Sequence, residues 1–148
     1  MTETPDPQTL LSDTALTVFR LNGQFLALAE ELARPAGLTA TRWQVLGAVL
    51  QRPLTVSDIA RAMGITRQSV QRTADLLADD GLLEFRDNPH HRRAKLVVAT
   101  ESGIAAVRRI NPAHQAAAQR IGDRMTPDAW SDALAALRAL GAALEQTS

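Results

Sequence analysis

The chain has 148 residues, 45% of them apolar, with sixteen Lys/Arg set against sixteen Asp/Glu, three histidines and no cysteine. Such a length can bury one ordinary core, the absence of cysteine excludes disulfides and thiol sensing, and a net charge of zero excludes a uniformly basic nucleic-acid binder. No run of eighteen apolar residues occurs and no leader pattern precedes the first expected helix, so a cytoplasmic protein with no membrane contact is expected.

Residues 1–8 (MTETPDPQ) are polar, hold two prolines and are expected to fray. From about Thr9 to Arg34 the pattern predicts a long helix. Leu21, Phe25, Leu28 and Leu32 mark one face, and Leu11, Ala15 and Val18 mark a neighbouring one. So wide an apolar stripe suits packing against more than one element, a partner chain included. Pro35 and Gly37 end this helix, and Thr39 caps the next, which is expected to reach Gln51 with Trp43, Leu46 and Leu50 inward. Arg52-Pro53 stops it.

Thr55 followed three residues later by Asp58 is a capping pattern that opens a short helix with Ile59, Ala60 and Met63 inward. Gly64 can take the left-handed conformation that closes it. Thr66 then caps a second helix, roughly Arg67 to Asp80, with Val70, Ala74 and Leu77 facing the core. Gln68, Gln71, Arg72 and Asp75 lie on its other face, with Arg67 beside them. The two arginines occupy its first half and Asp75, Asp79 and Asp80 its second, so its N-terminal end could enter a DNA groove with the acids held clear of phosphate. An ordinary amphipathic helix with a solvated polar face fits the same pattern.

The next residues favour the DNA reading. Leu83 and Phe85 alternate with Glu84 and Arg86, and Leu96 and Val98 alternate on a return strand, with the turn DNPHHRRA between them. From Arg86 to Lys95 there are four Lys/Arg and one acid, Asp87, whereas residues 53–95 as a whole carry seven Lys/Arg and six Asp/Glu. Helix, glycine turn, helix and basic hairpin is a winged helix-turn-helix layout. Gln68, Ser69, Gln71 and Arg72 would then meet base edges or nearby backbone. Thr66 and Arg67 would sit near phosphates, and Arg92 or Arg93, with Lys95, would act from the wing.

Thr100 is a natural cap for a helix running to about Met125, with a kink or break expected at Asn111-Pro112. Thr126-Pro127 opens the last helix, to about Gln146. Trp130, Leu134, Leu137 and Leu144, with Gly141 at the missing seam position, make a coiled-coil-like stripe that could fold back within the chain or pair with another.

The chain has no phosphate-binding glycine loop, no H-E-x-x-H and no nucleophile elbow, so no enzymatic reaction and no cofactor are expected. Neighbouring His90 and His91 would point to opposite faces of a hairpin, which makes a poor metal pair. Their expected place is on the wing near phosphate.

The run GITRQSVQRTADLLADDGLLEFRDNPHHRRAKLVVAT, leading into TESG, with GLTATRWQVLGAVL and LTVSDIARAMGI before it, resembles the MarR family of bacterial winged-helix regulators over most of the chain. One departure is His91, which stands where many members carry an Asp that helps hold the wing arginine, here Arg93. The resemblance implies a mainly α fold in a single MarR-like domain over 1–148. A winged helix-turn-helix lobe with a small two-stranded β-wing would occupy 39–100, and the N- and C-terminal helices, 9–34 and 101–146, would form a dimerisation lobe. It further implies a homodimer on double-stranded DNA, acting as a transcriptional repressor. A small anionic or aromatic effector would bind between the lobes, with Phe19, Phe25, Trp43 and His114 as candidate ligand contacts. By their own patterns Trp43 belongs first to the core and His114 to the surface. Two other readings stay open: a winged helix that meets an acidic protein partner, and a small enzyme with a scattered site.

Overall fold

The computed structural model describes residues 3–147, and its first helix (α1, Pro7–Ala33) starts earlier than the sequence pattern suggests. Asp6 is the reason. Its carboxylate accepts the Thr9 backbone N–H at 3.0 Å, and Pro7 occupies the first turn, where no N–H is needed. Of the stretch expected to fray, residues 1 and 2 lie outside the described residues, and Pro7 and Gln8 are helical. A short 3-10 turn, Arg34–Ala36, closes the helix as expected.

The second helix (α2, Ala40–Ala48) is capped by Thr39, whose hydroxyl accepts the Arg42 N–H at 3.1 Å. Glu30 of α1 accepts the Ala40 N–H at 2.8 Å, so the preceding helix helps to satisfy this helix start. The helix stops at Ala48, short of Gln51, and this changes its inward face. Val45, Leu46 and Val49 are buried, Trp43 is half-buried, and Leu50, now beyond the last helical turn, is 37% exposed.

Leu54–Thr55 forms a short strand (β1) that the sequence pattern did not suggest, and the third helix (α3, Val56–Met63) follows it directly. The expected capping box is present. The Thr55 hydroxyl accepts the Asp58 N–H at 3.1 Å, and the Asp58 carboxylate accepts the Thr55 N–H at 3.4 Å. Gly64 ends the helix at φ 68°, a backbone conformation costly for any residue with a Cβ. The fourth helix (α4, Arg67–Asp79) is capped by Thr66 and buries Val70, Ala74 and Leu77 completely. Those three residues lie at i, i+4 and i+7, one face of a helix, and each large one contributes about 1.5–3 kcal/mol through burial.

Strands β2 (Leu83–Asn88) and β3 (His91–Ala99) form the hairpin, and the sheet order is β1-β3-β2, all antiparallel. The small sheet therefore has three strands: the expected two-stranded wing plus β1. The turn is also tighter than expected, because pairing continues to Asn88 and His91 after a register shift between Arg86 and Asn88. Phe85 pairs with Val97 and Leu83 with Ala99, so these four share one face. The inward residue of the return strand is Val97, fully buried, and Leu96 and Val98 occupy the opposite face, a correction to the expected alternation.

The fifth helix (α5, Glu101–Arg124) starts from Thr100, whose hydroxyl accepts the Gly103 N–H at 3.1 Å and donates to the Gly81 carbonyl at 2.7 Å. Of the kink or break expected at Asn111-Pro112, the break does not occur: the helix runs through Pro112. Proline removes the donor that would reach the Arg108 carbonyl, and both residues are exposed, so water can serve that carbonyl instead. The sixth helix (α6, Pro127–Thr147) is opened by Thr126, whose hydroxyl accepts the Ala129 N–H at 3.1 Å.

By internal contacts the chain divides into two units, Met1–Ile110 and Asn111–Ser148. The first holds α1 to α4, the sheet and the start of α5, around a core that includes Leu46, Ile59, Val70, Leu77 and Val97. In the second, the Trp130 ring packs beside Gly122, and α6 has no buried residue.

Candidate nucleic-acid interface

A cleft of about 780 Å³ opens in the first unit between the start of α3, the outer face of α4 and the wing. Arg67, Gln68, Gln71 and Asp75 line it from α4, where their spacing makes one stripe beside the buried face. Arg93, Ala94 and Lys95 line it from β3, Phe85 from β2, and Thr55, Val56 and Ser57 from the start of α3. The lining holds three cations and one acid, so the cleft is basic although the chain as a whole is neutral.

The fold decides which of the expected contact residues gather here. Arg67, Gln68, Gln71, Arg93 and Lys95 do. Arg93, Ala94 and Lys95 follow one another in the lining where the hairpin register shifts, and Arg92 just before them is absent from it. Arg72 is exposed but also outside the lining, and half-buried Ser69 gives its N–H to the Thr66 hydroxyl at 3.1 Å. Thr66 thus serves the start of α4 itself.

Thr55, Val56, Ser57, Phe85 and Asp75 line the cleft without being expected there from the sequence. Thr55, Val56 and Ser57 enter because β1 and α3 pack behind the wing, a long-range arrangement without a local signal. Phe85 was expected only as a strand residue. Asp75 was grouped with the acids kept clear of phosphate, yet it lies in the cleft, where it accepts a hydrogen bond from Gln71 Nε2 at 2.9 Å. Spacing i, i+4 on a helix was the available signal. Asp80 is drawn away instead by Arg42 of α2, at 3.3 Å.

Asp58 lies beside the Thr55 hydroxyl and then Arg61, and these hold its carboxyl below the usual carboxylate range. On the wing, Arg86 Nε donates to Glu84 at 2.7 Å. No carboxylate pairs with Arg93 among the described residues, so its charge is directed at the cleft. His90 sits in the turn, where its N–H donates to Asn88 Oδ1 at 3.0 Å, and His91 begins β3; both are exposed. No group of three or more His, Asp and Glu could hold a metal ion among the described residues.

The expected ligand contacts lie elsewhere. Phe19 and Phe25 are 70% and 58% exposed on α1, Trp43 is half-buried on α2 and His114 is exposed on α5; none lines the cleft.

The sequence profile of the MarR family matches residues 36–94, the segment that builds α2 to α4 and most of the wing. The uncharacterized protein Rv2011c of Mycobacterium tuberculosis is 39% identical over 128 residues, covering 86% of this chain and 90% of that protein. The chain belongs to the MarR family. Its fold is shared with a mutant MarR from E. coli complexed with operator DNA, at a TM-score of 0.78 and 20% identity over 92% of this chain and 99% of that one. CouR from Rhodococcus jostii RHA1, bound to p-coumaroyl-CoA, is similar at a TM-score of 0.76 and 22% identity over 88% and 93%. A DNA-binding transcription regulator of the MarR family is therefore the class to which the basic cleft belongs. No described helix is long and apolar enough to cross a membrane.

Proposed function

We propose that this MarR-family protein is a homodimeric repressor that binds an inverted-repeat operator in double-stranded DNA and releases it on binding a small anionic or aromatic effector. The observation that carries the DNA half of this reading is the cleft itself. It joins the polar stripe of α4 to two cations of the wing and faces them with a single acid. In this reading Gln68 and Gln71 meet base edges in the major groove, while Arg67, Arg93 and Lys95 serve phosphates or an adjacent minor groove. Arg72, Ser69, Thr66 and Arg92 act at the margins of the contact.

The dimer is supported by apolar surface without cover in the single chain. Trp130, Leu134, Leu137 and Leu144 of α6 are 37–53% exposed along one stripe, and Leu11, Leu16 and Phe19 of α1 are 63–70% exposed. The helices 9–34 and 101–146 would then form the dimerisation part and 39–100 the DNA-binding part, acting in the cytoplasm. The effector reading draws on exposed Phe19 and Phe25, on Trp43 and on His114, with the CouR complex as a precedent for this fold holding an aromatic anionic molecule. Such an effector must bind one spacing of the dimer's two recognition helices, the α4 of each protomer, more tightly than the other.

The test is selection from a random duplex library at near-physiological salt. An enriched inverted repeat with half-sites about one helical turn apart is expected. Binding without enrichment, seen only at low salt, would reduce the cleft to an electrostatic patch and favour an acidic protein partner instead.

A further inference from the structure

We infer that Asp75 sets the base preference of Gln71 by fixing which way round its amide enters the groove; the inference rests on the proposed DNA reading. A glutamine amide has two faces of opposite character, an acceptor oxygen and a donor nitrogen, and rotation by half a turn exchanges them. A freely rotating Gln71 could offer either order to a base edge. Asp75 removes that freedom. Its carboxylate is acceptor-only when ionised, lies one helical turn beyond Gln71 and takes the Nε2 hydrogen at 2.9 Å. The reversed amide would set Oε1 against a carboxylate oxygen, which is repulsive. Both residues are exposed and line the basic cleft, so the amide stands where the DNA reading places a base edge.

With one Nε2 hydrogen held, Oε1 and the second hydrogen remain. That pair matches the adenine edge, where N6 donates and N7 accepts. Asp75 therefore acts as a positioning residue, and adenine is the base that Gln71 reads. The carboxylate carries a cost, since it stands in a cleft that must receive phosphates, and an apolar or neutral residue there would raise affinity for any DNA. Its presence trades some affinity for orientation.

The test compares sites selected by the parent, Asp75→Asn, Asp75→Glu, Gln71→Ala and the Gln71→Ala/Asp75→Asn pair, with circular dichroism confirming the fold of each. Asparagine keeps the size and can hydrogen-bond either face of the amide, so it releases the orientation. Adenine preference at one position per half-site should fall by roughly fivefold or more, while affinity for random duplex rises. Asp75→Glu, still acceptor-only, should preserve the preference. The pair should show no change in preference beyond Gln71→Ala alone.

If Asp75→Asn raises affinity for all sequences but leaves every position as selective as before, Asp75 acts by charge only and the inference fails. It also fails if Gln71→Ala alters no position. Absence of any enriched site for the parent would overturn the operator reading itself, a result separate from these.

Discussion

Arg93 and Lys95 of β3 line the cleft, while Arg92, next to Arg93 in the chain, does not. This separates two arginines that are neighbours in the chain. Arg93→Ala should weaken binding by a similar factor on operator and random duplex and lower the salt slope by about 1, whereas Arg92→Ala should change it far less. Competition binding at several salt concentrations reads both quantities. A second residue-scale expectation concerns Asp58, whose carboxyl the Thr55 hydroxyl and Arg61 hold below its usual range. The folded value lies below the unfolded one, so the stabilising contribution is whole above about pH 4 and fades as pH falls through the lower folded value. Melting curves of the parent and Asp58→Asn should accordingly converge toward the acid end of the range. At neutral pH, Thr55→Ala should cost about 1 kcal/mol through loss of the cap.

At the level of elements, the start of α5 shows why TESG carries a glycine at its end. A Cβ on Gly103 would run into the Leu82 carbonyl oxygen and lie 3.1 Å from Leu46 Cδ2. That carbonyl already accepts the Thr100 N–H at 3.1 Å, and the Thr100 hydroxyl reaches the Gly81 carbonyl, so the turn after α4 and the start of α5 are tied together. Gly103→Ala must push this turn away from the core and should destabilise the fold by about 1–3 kcal/mol, measured by urea unfolding. The hairpin teaches a complementary lesson. Leu96, Val97, Val98 and Ala99 are all apolar, so alternation along the chain leaves the inward parity open. Pairing of Phe85 with Val97 decides it, and a shift of one residue there would have turned Val97 out of the core.

For the whole molecule, α6 is the element that the single chain leaves least satisfied. None of its residues is buried, although Trp130, Leu134, Leu137 and Leu144 make a stripe of the kind that pairs helices. Leu137→Glu should shift the protein toward monomer in sedimentation and weaken operator binding through loss of the second recognition helix, with the monomer's cleft intact. A monomeric parent at micromolar concentration would remove the dimer from the reading.

Capping and helical periodicity are local, and those parts were legible from residue types alone. Thr39, Thr55, Thr66 and Thr126 cap helices as their spacing suggests, and Val70, Ala74 and Leu77 are the buried face of α4. A backbone N–H needs its partner within a few residues, and a helix returns to one face every three or four, so the chain announces both without knowing its neighbours. Tertiary structure decided the rest. Pairing across the sheet added β1 and chose Val97 over Leu96 and Val98, and the irregular stretch of the hairpin put Arg93 rather than Arg92 in the cleft. Packing of α3 behind the wing brought in Thr55 and Ser57, and folding placed Asp75 where its bond to Gln71 faces the basic wall. These outcomes depend on strand register and on which helix lies against which sheet, and such contacts join residues too far apart in the chain for local pattern to specify.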